Sequence, residues 1–180
     1  MALNATKRKE LDRMELWAWK SILNLPKTTP TAAIMVITGS LFASIRVQIK
    51  QLLYLQKVLK KKNDHWTQVT LEALKQHNAG WAKQIIENLE EWNLETDWEN
   101  IRSKSISGWK RQVLEAAEKK NKEKIISECY KKERGIPEVK TKTKKLIPIL
   151  EAEDYQRQPE PYIKKNSKLL SKAYIMGRFG

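Results

Sequence analysis

The chain has 180 residues, 41% of them hydrophobic, and its 35 Lys and Arg against 21 Asp and Glu give a formal net charge of +14. This length fits one domain or at most two. The ordinary apolar content and the seven tryptophans indicate a folded core up to at least Trp109 rather than a disordered chain. A single cysteine, Cys129, excludes an internal disulfide, and with only two histidines it cannot complete a Cys/His zinc site within the chain.

The chain shows no targeting or membrane-spanning pattern. Residues 1–13 are polar and basic and lack the apolar region of a secretory signal, so we expect an intracellular protein, in the nucleus or the cytoplasm. The most apolar stretch, residues 31–45, is about 22 Å long as a helix, whereas the hydrocarbon core of a bilayer is about 30 Å thick. We interpret this stretch as a buried helix and predict no membrane partner.

Proline and glycine occur at intervals that suit helices, and the alternation typical of strands is nearly absent. The sequence therefore predicts an all-α fold, an irregular multi-helix bundle with a basic C-terminal helical extension. The first helix is predicted over about residues 7–24. It ends at the turn 25–30, because proline disfavours helical geometry in the preceding residue and has no amide hydrogen. Its apolar face is predicted to hold Leu11, Met14, Ala18 and Ile22.

Two apolar helices follow this turn. The first is predicted from Thr31 to about Gly39, since glycine readily takes the left-handed conformation that closes a helix. The second is predicted from about Leu41, with apolar residues at mostly three- and four-residue spacing up to Leu59. The basic residues fall mainly off this apolar stripe or beyond its end: Arg46, Lys50, Lys57, Lys60, Lys61 and Lys62.

The middle of the chain contains signals for three more helices. Asp64 is predicted to cap a helix that ends near His77, and Gly80 interrupts before the next helix. Trp81, Ile85, Leu89 and Trp92 share one face of that helix. The sequence TDWE at 96–99 then has the pattern of a capping box, in which the Thr96 hydroxyl accepts a hydrogen bond from the Glu99 amide.

The last predicted helix of this region starts after Ser107 and runs to about Arg134, with a glycine and a proline as its stop. We therefore divide the chain into a helical core (1–135), a basic and polar linker (136–160) and a C-terminal helix (161–180).

Formal charge divides the chain differently. Residues 1–63 carry +9, residues 64–118 carry −4 and residues 119–180 carry +9, so the basicity lies in two separate blocks.

No pattern of residues indicates an enzyme. The chain lacks the Gly-x-Ser-x-Gly elbow of hydrolases, the phosphate loop that ends in Gly-Lys-Ser/Thr, and the Gly-x-Gly-x-x-Gly fingerprint. The one acidic cluster is interpreted as carboxylates that favour a helix dipole, not as metal ligands. Its members are Glu90, Glu91, Glu95, Asp97 and Glu99. We accordingly predict no catalytic residue, no metal site and no cofactor.

Isolated residues with reactive or aromatic side chains are interpreted structurally. Cys129 is predicted to be a small packing residue, and the histidines a helix-start residue (His65) and a surface residue (His77). The tryptophans at positions 81, 92, 98 and 109 are predicted in the core. Aromatic residues surrounded by lysines are better candidates for stacking on bases. These are Tyr155, Tyr162, Tyr174 and Phe179.

The excess of lysine in two blocks predicts a surface for polyanions. Lysine ammonium groups bind phosphates as point charges and do not read base edges, so we expect weak, sequence-tolerant binding to the backbone of RNA or DNA. The predicted contact residues are Lys57, Lys60, Lys61, Lys62, Lys140, Lys142, Lys144 and Lys145.

The segment that reads LWAWKSILNLPKTTP, residues 16–30, resembles a stretch of non-LTR retrotransposon polyproteins downstream of their reverse-transcriptase core. In those proteins this stretch is followed by a small-residue helix with a glycine and then by a basic helix. Both have counterparts here, and the order and spacing agree over residues 16–59. The residues that match the family motif are Trp19, Pro26, Thr28, Thr29, Pro30, Gly39 and Arg46.

The C-terminal part is similar to the same polyproteins. The sequence KTKTK at 140–144 and the closing segment 168–180 resemble the run that leads into their Cys/His zinc knuckle. The resemblance implies a fragment or truncated copy that stops before the knuckle. Because the paired aspartates of the polymerase and an endonuclease site are lacking, it also implies a non-catalytic segment that contacts template RNA or target DNA, with the rest of such a polyprotein as a further partner.

The sequence is also compatible with two other interpretations. The chain is alternatively a helical protein-interaction module whose exposed Trp or Leu stripe docks a partner, the positive charge being incidental. It is otherwise the non-functional product of a truncated mobile element.

Overall fold

The computed structural model describes residues 4–62, 65–130 and 146–152. These residues form eight helices and no strand, so the all-α prediction is confirmed for the described part of the chain. The predicted C-terminal helix (161–180) and the predicted domain boundaries at residues 135 and 160 lie outside the described residues. They stay predictions. The helices are α1 Ala5–Ile22, α2 Thr31–Thr38, α3 Ala43–Leu59, α4 Trp66–Gln76, α5 Gly80–Glu91, α6 Trp98–Ser103, α7 Ile106–Tyr130 and α8 Ile147–Glu151.

The chain falls into two compact units, each built from two sequence segments. The first unit comprises Met1–Leu11 and Ala43–Asn121, and the second comprises Asp12–Phe42 and Lys122–Gly180. Within the described residues no helix is by itself both long and apolar enough to cross a membrane. Taken together, α2 and α3 meet that criterion only across a bend of 58°.

The first unit is organised around α3, which packs against α4, α5 and α6. The spacing of its buried residues follows the predicted apolar stripe, and two of the three buried polar residues of α3, Gln48 and Gln56, bond to neighbouring helices. Its core includes three of the four tryptophans predicted to be buried, and the fourth, Trp81, is half-buried. The buried three are Trp92, Trp98 and Trp109.

A polar cluster inside the first unit is centred on Asn88, whose side chain is fully buried on α5. The Oδ1 of Asn88 accepts from Arg8 at 2.8 Å and from Gln48 at 2.9 Å, and Arg8 also pairs with Glu91 at 3.3 Å. A buried amide is stable when its hydrogen-bonding groups are satisfied. Asn88 therefore ties the N-terminal part of α1 and the middle of α3 to α5.

Three helices are followed by an asparagine with positive φ, a feature absent from the predicted helix ends. Asn24, Asn78 and Asn93 have φ of 49°, 46° and 51° and follow α1, α4 and α5. In each case the next residue donates its amide hydrogen to the carbonyl five positions earlier, the pattern of a Schellman motif. Asparagine tolerates this conformation better than most residues. These three helix ends are therefore specified by local residues.

Two predicted helix starts need correction. Asp97, not Thr96, is the N-cap of α6: its Oδ1 accepts from the Glu99 amide at 3.1 Å, so the predicted capping box is wrong. At α4 the N-cap is His65, and the predicted cap Asp64 lies outside the described residues. An aspartate side chain accepts the N-cap hydrogen bond at least as well as a threonine side chain. The helix can therefore begin after Asp97 rather than after Thr96.

In the second unit the prediction for α1 is partly wrong. Met14 is exposed, and the one buried residue of α1 is Asp12. The carboxylate of Asp12 accepts from the Lys124 ammonium of α7, and the same ammonium lies 4.3 Å from the centre of the Phe42 ring. A buried ion pair therefore occupies a place where periodicity predicted only apolar contacts.

Cys129 is buried on α7 in the second unit, as expected of a packing residue. Burial raises the pKa of its thiol, and the neighbouring carboxylate of Glu128 raises it further. The thiolate is the reactive form of cysteine, so such a thiol is protected from electrophiles.

We expect iodoacetamide to alkylate Cys129 at least about tenfold more slowly in the folded chain than in urea. Because the folded state retains the thiol proton to higher pH, the free energy of unfolding should also fall as the pH rises past 9.0, the ordinary pKa of the thiol. Alkylation followed by mass spectrometry measures the first effect. Urea titrations from pH 7 to pH 10 measure the second, which Cys129→Ser should reduce. Equal alkylation rates in the two states contradict the prediction.

Candidate nucleic-acid interface

The lysine cluster, defined as Lys57, Lys60, Lys61 and Lys62, lies at the C-terminal end of α3 in the first unit. Three of the four side chains are exposed, and that of Lys61 is half-buried. Within the part of the chain that the structure describes, none of them forms an ion pair with a carboxylate. Their charge is therefore available to an anionic ligand.

The helical repeat places further groups on the same side of α3. Lys50, Tyr54 and Lys57 are all exposed, and their spacing of four and three residues puts them within about 60° of one another around the helix axis. They extend over about 10 Å along the axis. Lys61 continues this row just beyond the helix end. Lys50 was recognised as basic in the sequence but was not among the predicted contact residues.

Lys60 differs from the other three lysines because it has a structural contact. Its Nζ donates to the Lys104 carbonyl oxygen at 2.8 Å, and that oxygen also accepts from the Gln56 amide at 3.0 Å. The same amide donates to the Ile101 carbonyl at 3.1 Å. These carbonyls end α6, where positive charge and hydrogen-bond donors are favourable. Lys60 thus helps to join α3 to α6.

Hydrogen bonds also fix the backbone of Lys61 and Lys62. The buried amide of Gln68 lies 2.9 Å and 3.2 Å from their carbonyl oxygens when its nitrogen faces them, the orientation that satisfies both. The Lys62 carbonyl also accepts from the His65 amide at 2.9 Å. The end of α3 is therefore held against the start of α4, and the lysine cluster has a defined position.

The second predicted group of lysines, Lys140, Lys142, Lys144 and Lys145, lies outside the described residues, as do the four predicted stacking aromatics. Their roles stay predictions.

The residues of the family motif have local structural roles. Pro30 is the N-cap of α2, Gly39 ends the same helix with φ of 58°, and the Thr29 amide donates to the Pro26 carbonyl at 2.9 Å. Thr28 is exposed in this turn. Trp19 and Arg46 are half-buried, on α1 and α3 respectively. The motif therefore defines a turn and a short helix, and it supplies no exposed cluster of charge.

The described segments contain no candidate metal centre. No group of three His, Cys, Asp or Glu side chains there is placed to hold a metal ion. In the acidic cluster, Glu91 pairs with Arg8, Asp97 caps α6 and the Glu95 carboxylate accepts from the Asp97 amide at 3.0 Å. An open groove of about 500 Å³ in the first unit is lined by both signs of charge, with Glu95 and Glu115 facing Lys104, Lys119 and Lys120.

Sequence reasoning missed one residue of this region, Trp66, which begins α4 and is 71% exposed. Trp66 lies four residues after Lys62, the last residue of the lysine cluster, whereas the buried tryptophans recur at helical spacing with apolar neighbours. That difference in context was the available signal.

Comparison with protein-family models, with curated proteins and with solved structures gives no match to this chain. The resemblance to reverse-transcriptase polyproteins depends on the sequence of residues 16–59 and on the basic C-terminal segments alone.

Proposed function

We propose that this chain is a non-catalytic, intracellular, nucleic-acid-binding segment of a non-LTR retrotransposon reverse-transcriptase polyprotein. Its ligand is the phosphate backbone of template RNA or target DNA. The observation that supports this best is the lysine cluster, whose ammonium groups have no carboxylate partner among the described residues. The turn at residues 25–30 and the small-residue helix after it support the family assignment only through their sequence.

Lysines without ion pairs favour phosphate because binding does not first require an internal pair to be broken. Each phosphate neutralised releases counterions, so affinity depends steeply on salt concentration. Contacts of this kind fix position along the backbone and carry no base information. The proposed activity is therefore sequence-tolerant binding with a strong salt dependence.

For about six phosphates neutralised, we expect affinity for a duplex to fall on the order of a thousandfold between 50 and 200 mM KCl. The triple variant Lys57→Gln, Lys61→Gln, Lys62→Gln should lower the salt slope by about one per lysine and weaken binding to unrelated sequences alike. Lys60 is left unchanged in this variant because its ammonium group donates a hydrogen bond to the Lys104 carbonyl at the end of α6. Replacing Lys140, Lys142, Lys144 and Lys145 with Gln tests the second group in the same way. Fluorescence anisotropy with labelled RNA and DNA measures these effects.

A matched control removes the same charge elsewhere. Lys9→Gln, Lys83→Gln, Lys110→Gln alters three exposed lysines outside the cluster and should leave the slope closer to that of the unmodified chain. Equal losses in both triple variants would show that charge acts diffusely and would refute a defined interface. Absence of any salt slope in the unmodified chain would refute nucleic-acid binding itself.

A second candidate function, docking of a protein partner, is favoured by a different surface. Met14 and Trp17 on α1 are both 68% exposed, and their three-residue spacing places them on one side of the helix. Exposed large apolar side chains next to each other often mark interaction sites. A pull-down with nuclease-treated extract separates the two functions, because a partner bound through protein contacts is retained after the nucleic acid is degraded.

A further inference from the structure

Trp66 is the most exposed of the large apolar side chains that the structure describes. A buried aromatic side chain removes about 150–250 Å² of mostly apolar surface from water. An exposed indole lacks most of this stabilisation, so a ligand with a flat apolar face would bind favourably against it. Nucleic-acid bases have such faces and come with phosphates attached.

The indole has a fixed neighbour on one side. The His65 ring lies 6.0 Å away between ring centres, at an interplanar angle of 27°. The His65 Nδ1 accepts from the Thr67 amide at 3.3 Å and lies 2.8 Å from the Thr67 hydroxyl, so the imidazole is held at the N-terminus of α4. Two adjacent flat rings thus form a preorganised aromatic surface.

The imidazole of this pair also contacts the lysine cluster. The Nζ of Lys61 lies 3.5 Å from the His65 Nε2, which places an ammonium group at the edge of the aromatic surface. Across residues 57–66 the sequence has four lysines and one acid, Asp64. Glu72, the single carboxylate of α4, is offset from Trp66 by about 120° around the helix axis. Positive charge therefore exceeds negative charge along the segment that leads to the indole.

We propose that Trp66, supported by His65, is a stacking platform for an unpaired base, while Lys57, Lys61 and Lys62 hold the adjoining phosphates. This inference rests on the proposed nucleic-acid binding and adds a preference for single-stranded over duplex ligands. In a duplex each base face is already covered by its neighbours, so only the phosphates remain available. In a single strand a base can rotate onto the indole.

The test compares a labelled single strand of about 12 nucleotides, in RNA and DNA form, with a duplex of the same length, using the full chain over the same series of salt concentrations for both ligands. Trp66→Leu removes the aromatic face and should weaken single-strand binding by about 5- to 150-fold, the range for loss of one stacked base. Duplex binding and the salt slope should change less than about twofold, since the phosphate contacts remain. Trp66→Phe should restore most of the loss.

Trp17→Leu is the matched control, because it removes an equally exposed indole on α1 and should leave both affinities unchanged. If Trp66→Leu binds the single strand like the unmodified chain while the lysine triple variant is weakened, the platform is refuted and the proposed function stands. If Trp66→Leu weakens single strand and duplex equally, the strand preference is refuted. If the unmodified chain binds neither ligand at 50 mM KCl, both proposals fail.

Discussion

Replacing Trp109 with Ala is expected to lower the free energy of unfolding by about 3–5 kcal/mol. Trp109 lies on α7 and is the largest fully buried side chain of the first unit. Truncation to Ala removes the favourable free energy of transferring the indole from water into the core. It also leaves a cavity that the surrounding helices can fill only in part. An effect of this size is a large share of the stability of a typical domain.

The indole hydrogen bond gives Trp109 a second role. Its Nε1 donates to the Leu52 carbonyl of α3 at 3.1 Å, and the Lys104 ammonium lies 5.5 Å from the ring centre. Trp109→Phe retains an aromatic ring but loses the donor, so we expect a smaller cost, with the missing hydrogen bond contributing about 0.5–1.5 kcal/mol. Trp109→Phe also removes part of the buried ring, so its cost combines a smaller cavity with the lost hydrogen bond.

Urea titration followed by far-UV circular dichroism measures these changes without relying on tryptophan emission. Trp66→Ala is the comparison variant, because an exposed side chain should change the free energy of unfolding by no more than about 0.5 kcal/mol. Equal urea midpoints for Trp109→Ala and Trp66→Ala would contradict the burial that the structure gives Trp109.

The second large effect is expected at the buried ion pair of the second unit. Lys124→Met leaves the Asp12 carboxylate without its ammonium partner, and we expect a loss on the order of 3 kcal/mol, at the lower end of the range for a broken buried pair. The lower end applies because the Lys124 side chain is one-third exposed. The cation over the Phe42 ring is lost in the same substitution.

A double-mutant cycle isolates this interaction. Asp12→Leu combined with Lys124→Met removes both charges, and the pair should be less destabilised than the two single changes added together. A coupling energy of about 0.5–3 kcal/mol, obtained from urea titrations of the four proteins, is the expected result. Strict additivity would show that the two groups do not stabilise each other in solution.

The sequence predicted the helices well because their signals are local. Apolar spacing gave α3 and α5, and Gly39 marked the end of α2. Errors arose where two residues compete for one local task. Thr96 and Asp97 are both good N-caps, so residue type alone did not decide between them. After α4, Asn78 and Gly80 both have positive φ, although only Gly80 was predicted to separate the two helices.

The candidate site was predicted in part. The lysine cluster follows from a run of lysines beyond an apolar stripe, but its lack of carboxylate partners depends on which helices pack beside it. Trp66 was predicted neither in the core nor in the binding surface, since exposure depends on neighbours that are distant in sequence. Lys60 likewise gained a structural contact with a carbonyl 44 residues away.

By itself the sequence determined the helical class, the positions of most helices and the excess of positive charge at the end of α3, because helical periodicity and charge runs are properties of neighbouring residues. Tertiary structure alone decided that Asp12 is buried against Lys124, that Gln56 and Lys60 bind the end of α6, and that Trp66 faces solvent. These outcomes join residues 44 to 112 positions apart or depend on what such residues leave uncovered, and no local pattern specifies them.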